Sequence, residues 1–266
     1  MRTRFVYPEG KSKALTMSYD DGVVADRRLV EIFNRYGIKG TFHLNSATFG
    51  TKGKIDPEEV ATLYKGHEVS CHAATHPFLE RIPRGEVMRE VWEDRKRIEE
   101  LAGYPVLSMS YPYGTYNDEV VEILRSAGIH CCRTTAATKA FGLPNEFLAW
   151  HPTCHHRDAL ALVPNFLNIK YPLGIFFVWG HAYEFDNNNN WQDIESFCQQ
   201  MAGKEDIWYA TNIEIYDYVQ AYNCLRFAAD GHLVENPTHL TLWIAVNGKT
   251  VSVAPGETKN LDELLA

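Results

Sequence analysis

Four short motifs in this sequence combine acids, imidazoles and a tight turn. They lie at residues 19–22 (YDDG), 71–77 (CHAATHP), 111–114 (YPYG) and 180–184 (GHAYE). Two histidines and one aspartate would form a three-ligand metal site with an open coordination position, which hydrolytic zinc requires. If the fold brings these motifs to one place, they predict metal-assisted hydrolysis.

A second histidine cluster competes for that metal. Two histidines four residues apart occur at His72 and His76, and again at His151 and His155 within the segment 150–156 (WHPTCHH). This spacing indicates metal ligands only in a suitable structural context, and the second cluster lies outside any strand that the sequence predicts. Three interpretations stay open for it: a wall of the substrate pocket, a structural segment, or a second metal site.

The motifs with chemistry follow predicted strands. Short β-rich runs alternate with helical stretches, and strands are predicted at 13–18, 40–44, 67–71, 107–110, 129–133, 174–179 and 207–210. About seven β–α units favour a parallel sheet, which right-handed crossovers would close into an incomplete barrel. A doubly wound open sheet is the alternative. In an α/β barrel the loops after the strands form the active site, so the motifs would meet at one rim.

The C-terminal part has a different pattern. Two β-rich runs flank Asn247-Gly248, a strong signal for a hairpin. We therefore expect residues 1–225 to form the barrel and residues 226–266 to form a small β extension packed on it. Residues 134–152 are predicted to be irregular.

Composition excludes several classes of protein. The chain has 266 residues, 45% hydrophobic and 23% charged, with a net charge of −8 and no basic stripe, so we expect no nucleic-acid partner. The apolar run at 173–179 is too short to span a bilayer, and residues 1–10 lack the apolar core of a signal peptide. We expect no membrane association and a cytoplasmic location, unless a leader has been removed.

Six cysteines without a paired framework predict buried free thiols. The sequence does not indicate an oligomeric state.

The motifs SYDDG (18–22), HAATH (72–76), YPYG (111–114) and WGH (179–181) occur in the order and context typical of one family. Together they resemble the polysaccharide deacetylase family, also called the NodB-homology fold or carbohydrate esterase family 4. The resemblance covers roughly residues 10–225. It implies an α/β fold of the deformed (β/α)₇ barrel type, similar to a TIM barrel, which agrees with the predicted number of strands.

The resemblance also implies roles for particular residues. These are Asp21, His72 and His76 as metal ligands, Asp20 as catalytic base, the backbone N–H of Tyr113 as oxyanion donor, and His181 as the acid that protonates the leaving group. The chemistry agrees, because a divalent ion polarises an acyl oxygen and lowers the pKa of a water molecule. A nearby carboxylate can then take the proton of that water. Zinc is the first expectation, and the same ligands accept cobalt, nickel or manganese.

Further residues are expected at the substrate: Tyr111, Pro112, Tyr113, Trp150, His155 and Trp179. The sequence departs from the family at the third motif, which normally begins with an arginine that tunes the base. Here that position is Ser110. Because a buried carboxylate without a partner has a raised pKa, we predict a compensating donor near Asp20. Arg133 is the first candidate and a histidine of residues 151–156 the second.

The function expected from these observations is metal-dependent hydrolysis of an acyl group, most often an N-acetyl group, on a carbohydrate or a small acylated substrate. Hydrolysis of another non-peptide C–N bond, such as a cyclic amide, is the main alternative, and an O-acetyl esterase is a further one. A silent carbohydrate-binding relative is the alternative outside the enzymes.

Overall fold

The computed structural model describes residues 2–262. The strands in this range are β1 (Thr3–Val6), β2 (Lys13–Asp20), β3 (Gly40–Leu44), β4 (Glu68–Cys71), β5 (Ser108–Ser110), β6 (Cys131–Arg133), β7 (Cys154–His155), β8 (Gly174–Gly180), β9 (Ile207–Tyr209), β10 (Arg226–Phe227), β11 (Leu233–Glu235), β12 (Leu242–Val246), β13 (Lys249–Val253) and β14 (Thr258–Asn260).

The α-helices in the same range are α1 (Asp26–Tyr36), α2 (Val60–Leu63), α3 (Arg84–Ala102), α4 (Asp118–Ser126), α5 (His156–Leu167), α6 (Tyr183–Asn187), α7 (Trp191–Met201) and α8 (Asn212–Asn223). None of these helices combines the length and the apolar character that crossing a bilayer requires.

Strands β2 to β9 form one parallel sheet that curves into a deformed barrel. The order is β6-β5-β4-β3-β2-β8-β7, and β9 pairs with the first half of β2. This arrangement confirms the predicted barrel and excludes the open doubly wound sheet. Both faces of β2 are covered, and all eight of its residues are buried, as expected for a central parallel strand.

The segment 150–155 closes the barrel, which corrects the expectation that it lies outside any strand. Trp150 forms a parallel bridge with Arg133 on β6, and β7 pairs with β8 a few residues later. The sequence gives no sign of this closure, because a single bridge and a two-residue strand are too short to show a period of two. Pro152, between them, also breaks the pattern of a continuous strand.

The interior of the barrel is polar, whereas the outer face of its strands is apolar. Side chains alternate along each strand, so Leu15, Met17 and Tyr19 join the hydrophobic core under the helices. The residues between them face the lumen. Ten buried polar residues of strands β2 to β6 belong to this inward-facing set: Thr16, Ser18, Asp20, Thr41, His43, Glu68, Ser70, Ser108, Ser110 and Arg133. They form hydrogen bonds with one another, which is how a polar lumen is made stable.

Glu68 organises the lower part of this lumen. Its carboxyl group accepts hydrogen bonds from Thr41 Oγ1 at 2.8 Å, from the backbone N–H of Ile213 at 3.1 Å, and from Ser108 Oγ. Burial raises the pKa of Glu68 to about 6, although these donors oppose the increase. The donors connect β3, β4 and β5 with the start of α8.

The C-terminal residues form two small antiparallel sheets. Strands β12 and β13 form the predicted hairpin, and Asn247 and Gly248 adopt the positive φ values of 49° and 87° that a tight turn requires. Strand β1 pairs with β12, so residues 3–6 join this sheet rather than the barrel. Tyr218 on α8 connects the two parts, because its hydroxyl donates to Val6 O at 2.8 Å and accepts from Trp243 N. The limits of the two domains stay a prediction.

The cysteines of the described residues are unpaired, as the sequence indicates. Five are buried, and Cys224 is exposed.

Replacing Glu68 should change how stability depends on pH. The folded state raises the pKa of Glu68 above its ordinary value, so the stability that protonated Glu68 contributes is present below about pH 4.5 and decreases as the pH rises through about 6. Glu68→Gln cannot titrate. The free energy of unfolding of the wild type, relative to the variant, should therefore be larger at pH 4.5 than at pH 7.5, by on the order of 1–2 kcal/mol. Urea unfolding at both pH values measures this difference, and the exposed Glu122→Gln is the control. An equal difference at both pH values would contradict the raised pKa.

Candidate active site

The carboxyl ends of the barrel strands enclose a cleft of about 520 Å³. Eight residues that the sequence singles out line this cleft: Asp20, Asp21, His72, His76, Tyr111, Tyr113, Trp179 and His181. They lie at the ends of β2, β4, β5 and β8 or in the loops that follow, because parallel strands end at the same edge of a sheet. The fold therefore brings the motifs together as predicted.

Asp21, His72 and His76 converge on one point. Their ligand atoms all lie within 4.8 Å of one another, and His76 Nε2 is 4.0 Å from Asp21 Oδ1. Asp21 and His76 have positive φ values of 82° and 59°, a conformation that residues other than glycine rarely adopt. Strained backbone of this kind concentrates at functional sites, where the surrounding structure holds it in place.

Neighbouring elements hold the loop that carries His72. Asp94 on α3 accepts from the backbone N–H of His72 at 2.9 Å and from that of Ser46 at 2.8 Å. Asn45 donates to the carbonyl oxygens of His72 and Ala73 at 2.7 and 2.8 Å. Contacts with α3 and with the loop after β3 thus hold the backbone of the loop at His72.

The side chains of this group fit a divalent metal ion. His72 Nδ1 lies 2.8 Å from the carbonyl oxygen of Ser110. A carbonyl oxygen only accepts, so Nδ1 carries the proton and Nε2 presents a lone pair towards the group. Burial lowers the pKa of His72 to about 4 and also lowers the pKa of His76. Both histidines are therefore neutral near pH 7, as metal ligands must be.

Asp20 and Arg133 form a buried ion pair across the lumen. Arg133 Nη2 donates to Asp20 Oδ1 at 2.5 Å and also contacts Oδ2, and each side chain is at most 3% exposed. Ser110 Oγ donates to the same carboxylate at 3.0 Å. Burial is the largest single influence and would raise the pKa of Asp20, but the charge of Arg133 and the neighbouring rings of His72, His43 and His181 together hold this pKa well below its usual range.

The predicted donor is therefore present next to Asp20, and it is the first candidate, Arg133. Its other contacts fix the guanidinium: Nε donates to Ser18 Oγ at 3.0 Å, Nη1 donates to Thr134 O at 3.1 Å, and the ring of Trp179 lies 4.7 Å away. All these partners are buried or half-buried in the barrel, so Arg133 is held on several sides.

Glu184 organises the opposite side of the cleft. Its Oε1 accepts from His181 Nδ1 at 2.7 Å and from His155 Nε2 at 3.1 Å, and its Oε2 lies 3.6 Å from His156 Nε2. Burial is the largest single influence and lowers the pKa of His181, but the bond to Glu184 and the negative charges of Asp20, Asp21 and Glu184 together raise the pKa overall. His181 Nε2 remains directed to the cleft, 4.0 Å from Asp20 Oδ2.

His155, His156 and Glu184 are a second group of ligand-type atoms within 4.8 Å of one another, but hydrogen bonding accounts for it. His155 Nδ1 accepts from the backbone N–H of Arg157 at the start of α5. Its Nε2 therefore carries the proton and donates to Glu184. His155 thus helps to hold the Glu184 carboxylate in place. Of the three interpretations of residues 150–156, this favours a structural segment.

Two expected substrate contacts are corrected by these positions. Trp150 is 2% exposed and packs in the core against Phe147 and Phe177, so it does not line the cleft. His155 is buried behind Trp179, with ring centroids 4.8 Å apart, and its contact is Glu184. Both belong to the segment that closes the barrel, and this is why they point away from the opening.

The remaining expected contacts lie at the turn after β5 and at the end of β8. Tyr111 and Trp179 line the cleft, and Pro112 is buried beneath the turn. Tyr113 has φ 60° and stacks on Phe78 with centroids 3.7 Å apart. Gly114 is required here, because a Cβ atom would lie 2.1 Å from Thr135 Oγ1 at a φ of +73°.

The sequence assigns no role to four residues of this region. Thr135, Arg157 and Tyr183 line the cleft, and Glu184 holds His181. The position of Glu184 could have been inferred from the sequence. It lies three residues after His181, and side chains three residues apart face each other when a helix begins there. Arg157 and Thr135 could not have been inferred, since both lie in or beside the segment whose strand the sequence does not reveal.

Comparisons with known proteins agree on one family. Residues 8–132 match the family model described as polysaccharide deacetylase. A peptidoglycan-N-acetylglucosamine deacetylase from Listeria monocytogenes is 29% identical over 119 residues, which cover 43% of this chain and 25% of the relative. A chitooligosaccharide deacetylase from Sinorhizobium fredii is 28% identical over 119 residues, covering 42% and 53%. The chain thus spans about a quarter and about half of these two relatives.

The fold also has a solved counterpart. The structure of a family 4 carbohydrate esterase from Streptomyces lividans, in complex with acetate, matches 74% of this chain and 91% of its own, with a TM-score of 0.54 at 15% identity. This likeness supports the deformed barrel.

Removing the guanidinium should destabilise the protein more than removing both charges. Arg133→Met leaves the Asp20 carboxylate buried without a partner, which we expect to cost about 3–5 kcal/mol of unfolding free energy at pH 7. Asp20→Asn in the same chain should recover a large part of this loss, because no uncompensated charge remains. Urea unfolding of both single variants and of the double variant measures the coupling. Strictly additive losses would contradict a paired arrangement.

Proposed function

We propose that this chain, whose residues 8–132 match the family model described as polysaccharide deacetylase, is a metal-dependent hydrolase that removes an acyl group, principally N-acetyl, from a carbohydrate or an amino-sugar derivative. One observation carries the proposal. The cleft combines a possible metal ligand set, a buried ionised carboxylate and a histidine with a raised pKa. Hydrolysis of an amide needs all three: an electrophilic carbonyl, an acceptor for a proton of water, and a donor for the leaving amine.

Asp21, His72 and His76 are the residues that would hold a divalent ion, with zinc as the first expectation. When bound, the ion would supply Lewis-acid polarisation of the acyl carbonyl and would acidify a water molecule. The neutral state of both histidines supports this assignment, as does the lone pair that His72 Nε2 directs into the group.

Asp20 acts as the base in this proposal. It is ionised at neutral pH because Arg133 and the neighbouring imidazoles together lower its pKa by more than burial raises it. It can therefore accept a proton from the attacking water without first losing one of its own. Arg133 contacts both carboxylate oxygens and Ser110 donates to Oδ1, while Oδ2 also lies 3.9 Å from His72 Nε2 and 4.0 Å from His181 Nε2. The second oxygen thus lies on the side of the cleft where the reaction would occur.

His181 acts as the acid that protonates the departing amine. Glu184 accepts the proton of Nδ1, so the other nitrogen, Nε2, is the one that delivers a proton into the cleft. The backbone N–H of Tyr113, in the turn that Gly114 permits, is the proposed donor to the oxyanion of the tetrahedral intermediate.

Asp20→Asn should separate metal binding from turnover. Asparagine has nearly the same shape but cannot take a proton, so we expect a loss of about 10²–10⁴-fold in kcat with bound metal near the wild-type level. Elemental analysis and acetate release from N-acetylated chito-oligosaccharides measure the two quantities. His72→Ala should abolish both, and the exposed Asp118→Asn should change neither. Wild-type turnover that persists after complete metal removal would refute the proposal.

His181 and Glu184 should affect amide substrates in particular. His181→Ala should reduce acetate release from N-acetyl substrates far more than hydrolysis of an activated aryl acetate, whose leaving group needs no proton. Glu184→Gln removes the charge that raises the pKa of His181. Because activity decreases as the pH rises through the pKa of an acid catalyst, the alkaline limb of kcat/KM should begin at lower pH in this variant. Equal losses on both substrate types would reject the assignment of His181.

A further inference from the structure

Lys54 places a positive charge beside the candidate metal ligands, and the chemistry proposed above does not use it. Its ammonium group donates to the carbonyl oxygen of Asp21 at 2.7 Å and lies 3.7 Å from Oδ1 of the same residue. The same Oδ1 lies 4.0 Å from His76 Nε2. A cation of the protein and the candidate metal group therefore share one carboxylate oxygen.

The loop after β3 holds Lys54 in this position. An antiparallel bridge and two backbone hydrogen bonds of 3.0 Å join residues 53–55 to residues 22–24. The side chain of Ile55 is fully buried, and that of Lys54 is only 21% exposed. The ammonium group is therefore attached to the turn that carries Asp21.

Both carboxylates at the ligand group have a cation beside them. Asp20, whose Oδ2 lies 3.9 Å from His72 Nε2, is bound by Arg133. Asp21 is matched by Lys54, and the two histidines of the group are neutral ligands. The affinity of a site for a cation depends on the charge of its ligands, as calcium sites show. A divalent ion would thus meet no surplus of negative charge from these two carboxylates.

Lys54 has two opposite effects on cation binding, and its charge is the larger one. Its hydrogen bond to the carbonyl oxygen helps to hold the turn at Asp21, where φ is 82°. That turn has other bonds, because Asp21 N donates to His43 O at 2.8 Å and residues 22–24 are joined to residues 53–55. The charge has no such substitute, and like charges repel strongly where a site is partly shielded from water.

We propose that Lys54 limits how tightly the group of Asp21, His72 and His76 holds a divalent ion, so that the ion is exchangeable and its occupancy follows the supply of free metal. The inference rests on the proposed function for the identity of the ligand group, but it does not depend on the reaction. Lys54 attracts the carboxylate of Asp21 and repels a second cation at the same oxygen. Its role is in metal affinity, and it takes no part in proton transfer.

The test measures the zinc affinity of the full chain by competition with a chromophoric chelator, at pH 7 in about 0.1 M salt, which screens distant charges. Lys54→Met keeps the length of the side chain and removes its charge, so it should bind zinc about 10- to 100-fold more tightly than the wild type. Lys54→Arg keeps a cation and should stay close to the wild type. The matched control is Lys52→Met, which should change little, because Lys52 is an exposed cation that lines the same groove of about 830 Å³ as Lys54.

Zinc binding and acetate release from N-acetylated chito-oligosaccharides, measured on the same proteins, separate the two proposals. If Lys54→Met binds zinc more tightly, His72→Ala abolishes this binding and no acetate is released, the inference about Lys54 stands and the proposed reaction fails. If Lys54→Met binds zinc no more tightly than the wild type, or if Lys52→Met gains as much, the inference is refuted even where acetate is released. Urea unfolding shows whether each variant is folded, and Lys54→Gln, with the same expected gain, replaces Lys54→Met if that chain is unstable.

Discussion

The ion pair between Asp20 and Arg133 is the constraint on which the rest of the site depends. Both side chains are almost fully buried, and removing two charges from water is costly unless each finds a close partner and further hydrogen bonds. The lumen supplies these bonds through Ser18, Ser110 and the carbonyl of Thr134. A barrel with an apolar lumen could not hold this pair. The strands therefore need small polar residues on their inner face to hold this ion pair, and apolar residues on their outer face to pack against the helices.

The register of the sheet explains how Arg133 can reach Asp20. Ser110 and Arg133 are register partners on β5 and β6, so they stand at the same height in the barrel. Ser110 is small, and its hydroxyl adds a hydrogen bond to Asp20 while its carbonyl orients His72. The guanidinium can therefore enter the lumen from the adjacent strand. Ser110 and Arg133 on neighbouring strands thus supply the charge partner of Asp20 and fix the tautomer of His72, a possible metal ligand.

The sequence predicts the parts of this structure that depend on local patterns. Strand β3 was predicted with its observed limits because alternation over five residues is readable, and Arg133 was identified because a buried carboxylate requires a partner. The closing strand β7 and the burial of Trp150 could not be predicted. They depend on contacts with β6 and β8, which are distant from them in sequence. Strand β7 has only two residues and is too short to show an alternating pattern. The assignment of His155 to substrate was wrong for the same reason, since only the closed barrel shows that its ring lies behind Trp179.

Asp20 and Glu184 have different partners, and this difference separates a group that accepts a proton from a group that donates one. Asp20 is paired with an arginine, whose charge is permanent, so Asp20 stays ionised over the whole physiological range. Glu184 is paired with His181 and His155, whose charges depend on protonation. Its negative charge therefore favours a proton on His181, whereas the charge of Arg133 disfavours a proton on Asp20. A proton taken up at Asp20 is held weakly, and a proton on His181 is retained until a stronger acceptor arrives. Asp20 Oδ2 and His181 Nε2 are only 4.0 Å apart, so in the proposed reaction the group that accepts a proton and the group that donates one would both reach the same acyl group.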